Sequence, residues 1–438
     1  MKWLGGAAAA SALRPSWVSA APLVDDYFIF IHAAGGWDVT LWADPRNERR
    51  GLVEPASTAN SDASGLAHWK PARLDADAQT FEIVTPPGSS LRLGPALGSL
   101  LDLHDRLTII NGISMNTVSH EDGTNYSATG RHRSGSTVPE SSIDVLIANE
   151  LGADQLMPDV SVRFPSAYVG DRLDRRAIPL RVTAVDAITK TFARSSAYLK
   201  VDDRAAIEKL LVGEAQRAAL DATSPELYEQ LASQHAAQPA LVSGEFADAF
   251  SSARLRAAYP QFDYHARTQG SAALGAAFAL EAIRRDVVRC VSFGLGGLDT
   301  HNANYRQHGH TLQELFGVVS TLVTQLDQIP HPHRAGAKLG EHTHILVISE
   351  FCRTPQINLA GGRDHYPNNS ALVISPRFRP GQFGHTDPDQ LLPTAFGTFV
   401  GGSRAIAPPD VLATFLGAFQ IDPRRYMRDG EVVKALLR

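Results

Sequence analysis

Val287-Val-Arg-Cys-Val-Ser-Phe293 is a short apolar run, and Gly294-Leu-Gly-Gly-Leu-Asp-Thr-His301 follows it directly. A run of this length bounded by glycines reads as a buried strand that hands over to a loop. Helical spacing precedes it at about 271–286 and follows it at about 311–328, and the second helix leads into another apolar strand, Thr343–Ser349. Strand, helix, strand at this spacing implies a parallel sheet covered on both faces. In such sheets ligands gather outside the carboxyl ends of the strands. Glycine lets the backbone turn sharply there and come close to a ligand. Asp299 and His301 are therefore expected at that edge.

The Gly-Gly-x-Asp pattern occurs three times: Gly35-Gly-Trp-Asp38, Gly296-Gly-Leu-Asp299 and Gly361-Gly-Arg-Asp364. The first also follows an apolar run, Tyr27–Ile31. One copy would read as turn chemistry, because glycine and aspartate dominate turns for conformational reasons. Two copies carry histidine close behind, in Asp299-Thr-His301 and Asp364-His365. Carboxylate with imidazole is the ligand chemistry of a divalent metal. Glu350 closes an apolar strand in Ile348-Ser-Glu-Phe-Cys-Arg-Thr-Pro355. A carboxylate there has to be paired, hydrogen-bonded or metal-bound, since burying it bare is strongly unfavourable. Arg353 is its partner if no metal is present; with a metal, the planar fork of Arg353 could clamp an anionic substrate. His301 and His308 are about two helical turns apart and could share a face. His308 and His310 read otherwise as capping or surface residues, His331 and His333 as solvated loop residues between prolines, and His342 and His344 as structural.

At 438 residues and 44% hydrophobic content the chain can bury a large core. Its 41 basic and 46 acidic residues give a net charge of −5 with no long run of one sign, which argues against a nucleic-acid partner. Cys290 and Cys352 are the only cysteines, too few for a disulfide scaffold or a thiolate metal cluster, and read as buried free thiols. No apolar stretch approaches the ~20 residues of a membrane span. Oligomeric state leaves no signal. Residues 1–20 read as an export signal: Lys2, the apolar and small segment Leu4–Leu13, then Val18-Ser-Ala20 as a cleavage site. They look like the back half of a twin-arginine signal whose arginine pair lies upstream of Met1, which implies a periplasmic or secreted bacterial protein. The rest, 25–435, reads as one domain. Its expected elements are an irregular excursion at 44–90 with a hairpin near Phe81–Val84, a helix at 93–105 and a strand at Leu107–Ile110. Helices follow at Asn125–Gly130 and Ser141–Leu151. Next come a helical insertion or cap at 155–265, a strand at Ala371–Ile374 and a last helix capped by Asp410.

Taken in order, GGWD (35–38), HEDGTNYSATGR (120–131), GGLDTH (296–301), SEFCRTP (349–355) and GGRDHY (361–366) resemble the bacterial domain of unknown function 1501 family, whose members are similar to the alkaline phosphatase and sulfatase superfamily. The resemblance spans about 25–425. It implies an α/β fold, a three-layer α/β/α sandwich with a mostly parallel central sheet and a helical insertion, with a divalent-metal site at the carboxyl edge. By resemblance Asp38 is the metal carboxylate of the first strand, Asp299 and His301 are the ligands of a late loop, and Asp364 with His365 supplies the last histidine. Glu350 stands where the superfamily has Asp-His, but here Phe351 follows. Laying Thr129-Gly-Arg131 on the Thr-Gly-Arg of sulfatases puts His120 at the place of their nucleophile. His120 could be a metal ligand, a general acid or base near its ordinary pKa of ~6.5, or a nucleophile that accepts a phosphoryl group. Ser114, Thr117 and Ser119 are hydroxyl alternatives. The implied function is an exported metal-dependent hydrolase of phosphate or sulfate esters acting on a small anionic ester. Attack would come from a metal-activated water or from His120, and Arg131 or Arg353 would steady the anion. Zinc suits mixed histidine and carboxylate ligands; calcium or magnesium would suit a carboxylate-dominated site. The alternative is a non-catalytic exported metal-binding or assembly protein on the same fold.

Overall fold

A computed structural model describes residues 25–46, 71–75, 78–81, 83–170, 172–192, 245–302, 304–397, 399–400 and 402–438, with isolated residues between 206 and 217. The main strands are β1 (Tyr27–Ala33), β2 (Leu107–Ser114), β3 (Asp159–Val162), β4 (Leu180–Val182), β5 (Cys290–Leu295), β6 (Thr343–Ile348), β7 (Asn368–Ile374) and β8 (Gly381–Phe383). The main helices are α1 (His120–Thr129), α2 (Ile143–Leu151), α3 (Gly270–Arg284), α4 (His310–Leu326) and α5 (Pro408–Ala418).

The eight strands form one sheet in the order β8-β2-β7-β6-β1-β5-β3-β4. All neighbours run parallel except β7, which is antiparallel to both β2 and β6. The result is a mixed α/β protein with a large, mostly parallel central sheet. β1 lies at its centre and is buried along its whole length, as expected of a strand covered on both faces. Side chains alternate across a strand. Tyr27, Ile29, Ile31 and Ala33 thus join one core with the apolar faces of α3 and α4. Phe28 and Phe30 join the other, with α2, α5 and part of α1.

Several elements differ from the sequence expectation. β3 and β4 extend the sheet within 155–182, so that part of the expected insertion is sheet. Asp159-Val-Ser-Val162 is too short and too polar to announce a strand, and its pairing with β5 is what makes it one. The middle segment at 203–235 lies outside the described residues apart from isolated positions, and the export segment at 1–20 lies outside them entirely. The expected helix at 93–105 is a chain of 3-10 turns over Pro95–Arg106, broken at Gly98 with φ +52°. α1 begins at His120 rather than Asn125, with Glu121 and Asp122 in its first turn, where the helix dipole favours acidic groups. The hairpin pairs Pro71–Asp75 with Ala78–Phe81, slightly upstream of its expected place. Asp410 sits at the third position of α5 and caps it from there: its carboxylate accepts the N–H of the N-cap residue Ala407 and pairs with Arg404.

Both cysteines are buried and free. Among the described residues no helix is long and apolar enough to cross a membrane. At the amino edge of the sheet His342 and His344 share the carboxylate of buried Asp26, at 2.8 and 3.1 Å. His331 is buried there, with Nε2 2.9 Å from the Asp25 carbonyl, and is not the solvated loop residue its prolines suggested; His333 is exposed as expected and pairs with Asp286.

A candidate metal centre at the carboxyl edge

Five chain segments meet where the parallel strands end. Gly35–Asp38 follows β1, Asp299 and His301 follow β5, and Glu350 follows β6. His365 precedes β7, and it reaches the same edge only because β7 runs the opposite way. His120 is supplied by the first residue of α1.

The arrangement centres on the Asp299 carboxylate. Its Oδ1 lies 3.1 Å from His301 Nε2, 3.3 Å from His365 Nε2 and 3.5 Å from His120 Nε2. His301 Nε2 and His365 Nε2 are 3.2 Å apart. The donor atoms of His120, Asp299 and His365 all lie within 4.8 Å of one another. Each imidazole is held from behind through Nδ1: His120 on Glu350 Oε1 at 2.7 Å, His301 on Asp364 Oδ1 at 3.0 Å, and His365 on the Val118 carbonyl at 2.9 Å. All three acceptors are oxygens without a proton to give, so the ring proton belongs on Nδ1 and each Nε2 presents a lone pair. Three lone pairs and a carboxylate oxygen converging in this way repel one another unless a proton or a metal ion stands between them.

The charges are set by the surroundings. Burial alone would raise the Glu350 carboxyl, but hydrogen bonds from His120 and the Gly35 N–H hold it at about 2. Burial works the same way on Asp299, where the hydrogen bond and charge of Arg353 bring it to about 2. The hydrogen bond to Glu350 raises the pKa of His120 against its partial burial.

The structure divides the expected site residues into groups. His120, Asp299 and His365 bring donor atoms to one point, all within 4.8 Å of one another, and His301 Nε2 lies beside two of them, Asp299 Oδ1 and His365 Nε2. Glu350 and Asp364 stand behind two of the imidazoles as hydrogen-bond acceptors instead of reaching that point themselves. Asp38 is fully buried and outside the cluster. Its Oδ1 accepts from Thr40, and its Oδ2 accepts from Asn304 at 2.7 Å and pairs with Arg363 at 2.9 Å. His308 is buried beside it, taking the Asp38 N–H on Nε2 and facing Thr300 with Nδ1, so it shares no face with His301. Arg353 does not pair with Glu350. Its guanidinium donates to the Gly35, Gly36 and Arg363 carbonyls and to Asp299 Oδ1 at 2.6 Å, so its fork is already engaged. Arg131 pairs with Asp429 beyond the far end of α1, roughly 15 Å along the helix from His120. Of the hydroxyl alternatives, Ser114 donates to Asn116, and Thr117 accepts the Ser119 N–H. Sequence reasoning missed the Val118 carbonyl, Ser349 and Asn358. A backbone acceptor has no residue signature, and single Ser or Asn residues in a loop carry none either.

The glycine pairs are explained by close approach. A Cβ at Gly35 would stand 2.4 Å from the Asp299 backbone nitrogen, and one at Gly362 would stand 1.9 Å from the His301 carbonyl carbon. The first and third Gly-Gly-x-Asp loops are thus pressed onto the second.

Four donors around a tetrahedral zinc ion at ~2.0–2.1 Å are separated by ~3.3 Å. The observed separations of 3.1, 3.2, 3.3 and 3.5 Å match four of the six edges of such a set, while His120 and His365 are within 4.8 Å and His301 stands outside the group whose donors are all that close. Nδ1 hydrogen bonds to carboxylate or carbonyl are the usual support of metal-bound histidine. The residues therefore fit a metal ion of zinc type.

Fold and centre together define a mixed α/β protein whose mostly parallel sheet carries a histidine cluster at its carboxyl edge. The chain belongs to the family described as "Protein of unknown function (DUF1501)", whose model matches residues 26–431. No curated protein matches it. Among solved structures it is similar to Ps i-CgsB in complex with k-i-k-neocarrahexaose, at 9% identity and TM-score 0.37, covering 90% of this chain and 72% of that one. A Bacteroides thetaiotaomicron protein from the metabolism of multiple glycosaminoglycans is similar at 10% identity and TM-score 0.32, covering 90% and 72%.

Proposed function

We propose that His120, Asp299, His301 and His365 hold one zinc ion, and that the protein is an exported metal-dependent hydrolase of phosphate or sulfate esters on an α/β/α sandwich of the alkaline phosphatase and sulfatase kind. The observation that carries this reading is the convergence of three imidazole Nε2 atoms on Asp299 Oδ1, each ring anchored through Nδ1. Three nitrogens and one carboxylate favour zinc over calcium or magnesium, which take oxygen-rich sets. Side-chain exposure of 37% at His120, 47% at His301, 23% at His365 and 50% at Asp299 leaves the cluster open to solvent. Catalytic zinc sites keep a position for water or substrate, whereas structural ones are closed.

Zinc in such a site supplies Lewis-acid activation of water and of an ester oxygen. The remaining work belongs to the chain. Glu350 and Asp364 fix two rings and keep Nε2 free of a proton. Arg353 holds Asp299 in place and offsets its charge, leaving the centre less negative toward an anionic ester.

One observation favours the non-catalytic alternative: Asp299 is close enough to complete a fourth protein donor and close the site. Metal analysis of protein purified without chelator, with turnover of a panel of phosphate and sulfate esters, separates the two. About one zinc per chain with turnover that His365→Ala abolishes is the expected result. Zinc without turnover across the panel makes the centre structural. A protein that binds no divalent metal, or binds it equally well as His365→Ala, defeats both.

A further inference from the structure

We propose that Asn358 is the positioning residue for His301, an inference that rests on the zinc reading of the cluster. Asn358 lies in the loop between Glu350 and His365, outside every motif in the chain, and it is half-buried. Its amide uses all of its hydrogen-bonding capacity, two acceptor sites and two donors. Oδ1 accepts the Ala360 and Gly362 N–H groups, both at 3.0 Å. Nδ2 donates to the His301 carbonyl at 3.2 Å and to Asp364 Oδ1 at 3.1 Å. The backbone adds a bond to the Gly362 carbonyl at 2.8 Å and one from the Gly361 N–H at 3.0 Å.

The two halves of this amide do different things. The oxygen folds the loop, and the nitrogen reaches out of it to the two groups that fix His301. One is the backbone of His301 itself. The other is Asp364 Oδ1, the same oxygen that accepts the His301 Nδ1–H at 3.0 Å. The three imidazoles differ in what holds them. His120 leans on buried Glu350, and His365 leans on a backbone carbonyl. His301 leans on Asp364, whose side chain is 57% exposed and so free to exchange its partner for water. Of the three anchors, it is the one that needs a second hold, and Asn358 provides it.

Asn358→Asp keeps the acceptor half of the amide and replaces the donor half with a carboxylate oxygen that repels Asp364 and the His301 carbonyl, so the loop keeps its Oδ1 bonds while both groups lose their tie. Zinc affinity, measured by competition against a chromophoric chelator, is expected to fall about 10- to 100-fold, the usual effect of losing an outer support. The thermal midpoint of the metal-free protein should stay near that of the wild type. Because the role runs through His301, the same substitution in a His301→Ala background should change zinc affinity by less than about twofold. The cobalt-loaded Asn358→Asp protein should also lose visible absorption as one nitrogen donor drops away. Unchanged affinity in Asn358→Asp overturns the inference and leaves the zinc site standing. An equal loss in the His301→Ala background overturns the route through His301. A wild-type protein that binds no zinc overturns the zinc reading, and this inference with it.

Discussion

At the scale of single residues, the centre is a problem of lone pairs. His120, His301 and His365 each give the Nδ1 proton to a fixed oxygen and turn Nε2 toward Asp299. Which ring nitrogen is left free to act as a ligand is therefore decided by what stands behind the ring, and Glu350 and Asp364 matter as supports. The same scale explains Gly362. Its missing side chain is what lets the third Gly-Gly-x-Asp loop lie against the second, since a Cβ would stand 1.9 Å from the His301 carbonyl carbon and 2.2 Å from the Asn302 nitrogen. Both contacts are backbone and cannot swing aside. Gly362→Ala is expected to lower the unfolding free energy by about 1–3 kcal/mol, the range for overpacking, and to weaken zinc binding with it. Denaturant titration together with a zinc competition assay checks both parts; an alanine variant unchanged in both would show that the loops are not tightly apposed.

At the scale of elements, α1 carries His120 to the centre, and its approach is set by a glycine inside the helix. A Cβ at Gly123 would stand 2.4 Å from the Glu350 carbonyl oxygen, so the first turn of α1 lies directly on the end of β6. On propensity alone, Gly123→Ala should stabilise the helix by about 1 kcal/mol. Contact should win over propensity: the helix must move away from Glu350, and the 2.7 Å bond from His120 stretches or breaks. The expected outcome is a lower thermal midpoint and weaker zinc affinity. A stabilised protein with intact zinc binding would show that propensity wins. The direction of β7 is the other decision at this scale. A parallel β7 would have left His365 at the opposite edge of the sheet, away from Asp299.

At the scale of the whole molecule, burial sets the response to acid. Burial lowers the pKa of His32, His331 and His344, and it takes His308 to about 3. Each is held neutral in the folded protein and titrates near ~6.5 when unfolded. Their contribution to stability is present above pH ~6.5 and is lost as the pH falls below it, each by at most ~1.4 kcal/mol per pH unit. Asp159 works the other way. It is buried with neither carboxylate oxygen hydrogen-bonded, and burial, then nearby Asp144, pushes its pKa well above 3.8. Its penalty grows as the pH rises from ~3.8 toward the folded value. Four histidines outweigh one aspartate, so the urea midpoint should fall between pH 6.5 and 4.5. Asp159→Asn should steepen that fall by removing the opposing slope. A midpoint that is flat across this range would contradict the account.

Local pattern alone determined a good deal. Apolar runs bounded by Gly-Gly-x-Asp placed β1 and β5, and the apolar run closed by Glu350 placed β6; together they gave a parallel sheet, because a strand buried on both faces has to be apolar throughout. The same pattern put Asp299 and His301 at the carboxyl edge and named His365 as a candidate, while His120 was named by the family resemblance. Tertiary structure alone decided which of the candidates meet. Asp38 has the same motif as Asp299, yet it is taken up by Arg363, Asn304 and Thr40, while Asp299 stays half-exposed among the histidines. The β3 and β4 strands, the reversed β7 and the roles of Val118 and Asn358 were equally invisible in one dimension. The reason is physical. Hydrophobic periodicity is local and survives in the sequence, whereas pairing between polar groups depends on distance in space, and the groups that meet here include Asp38 and Arg363, 325 positions apart.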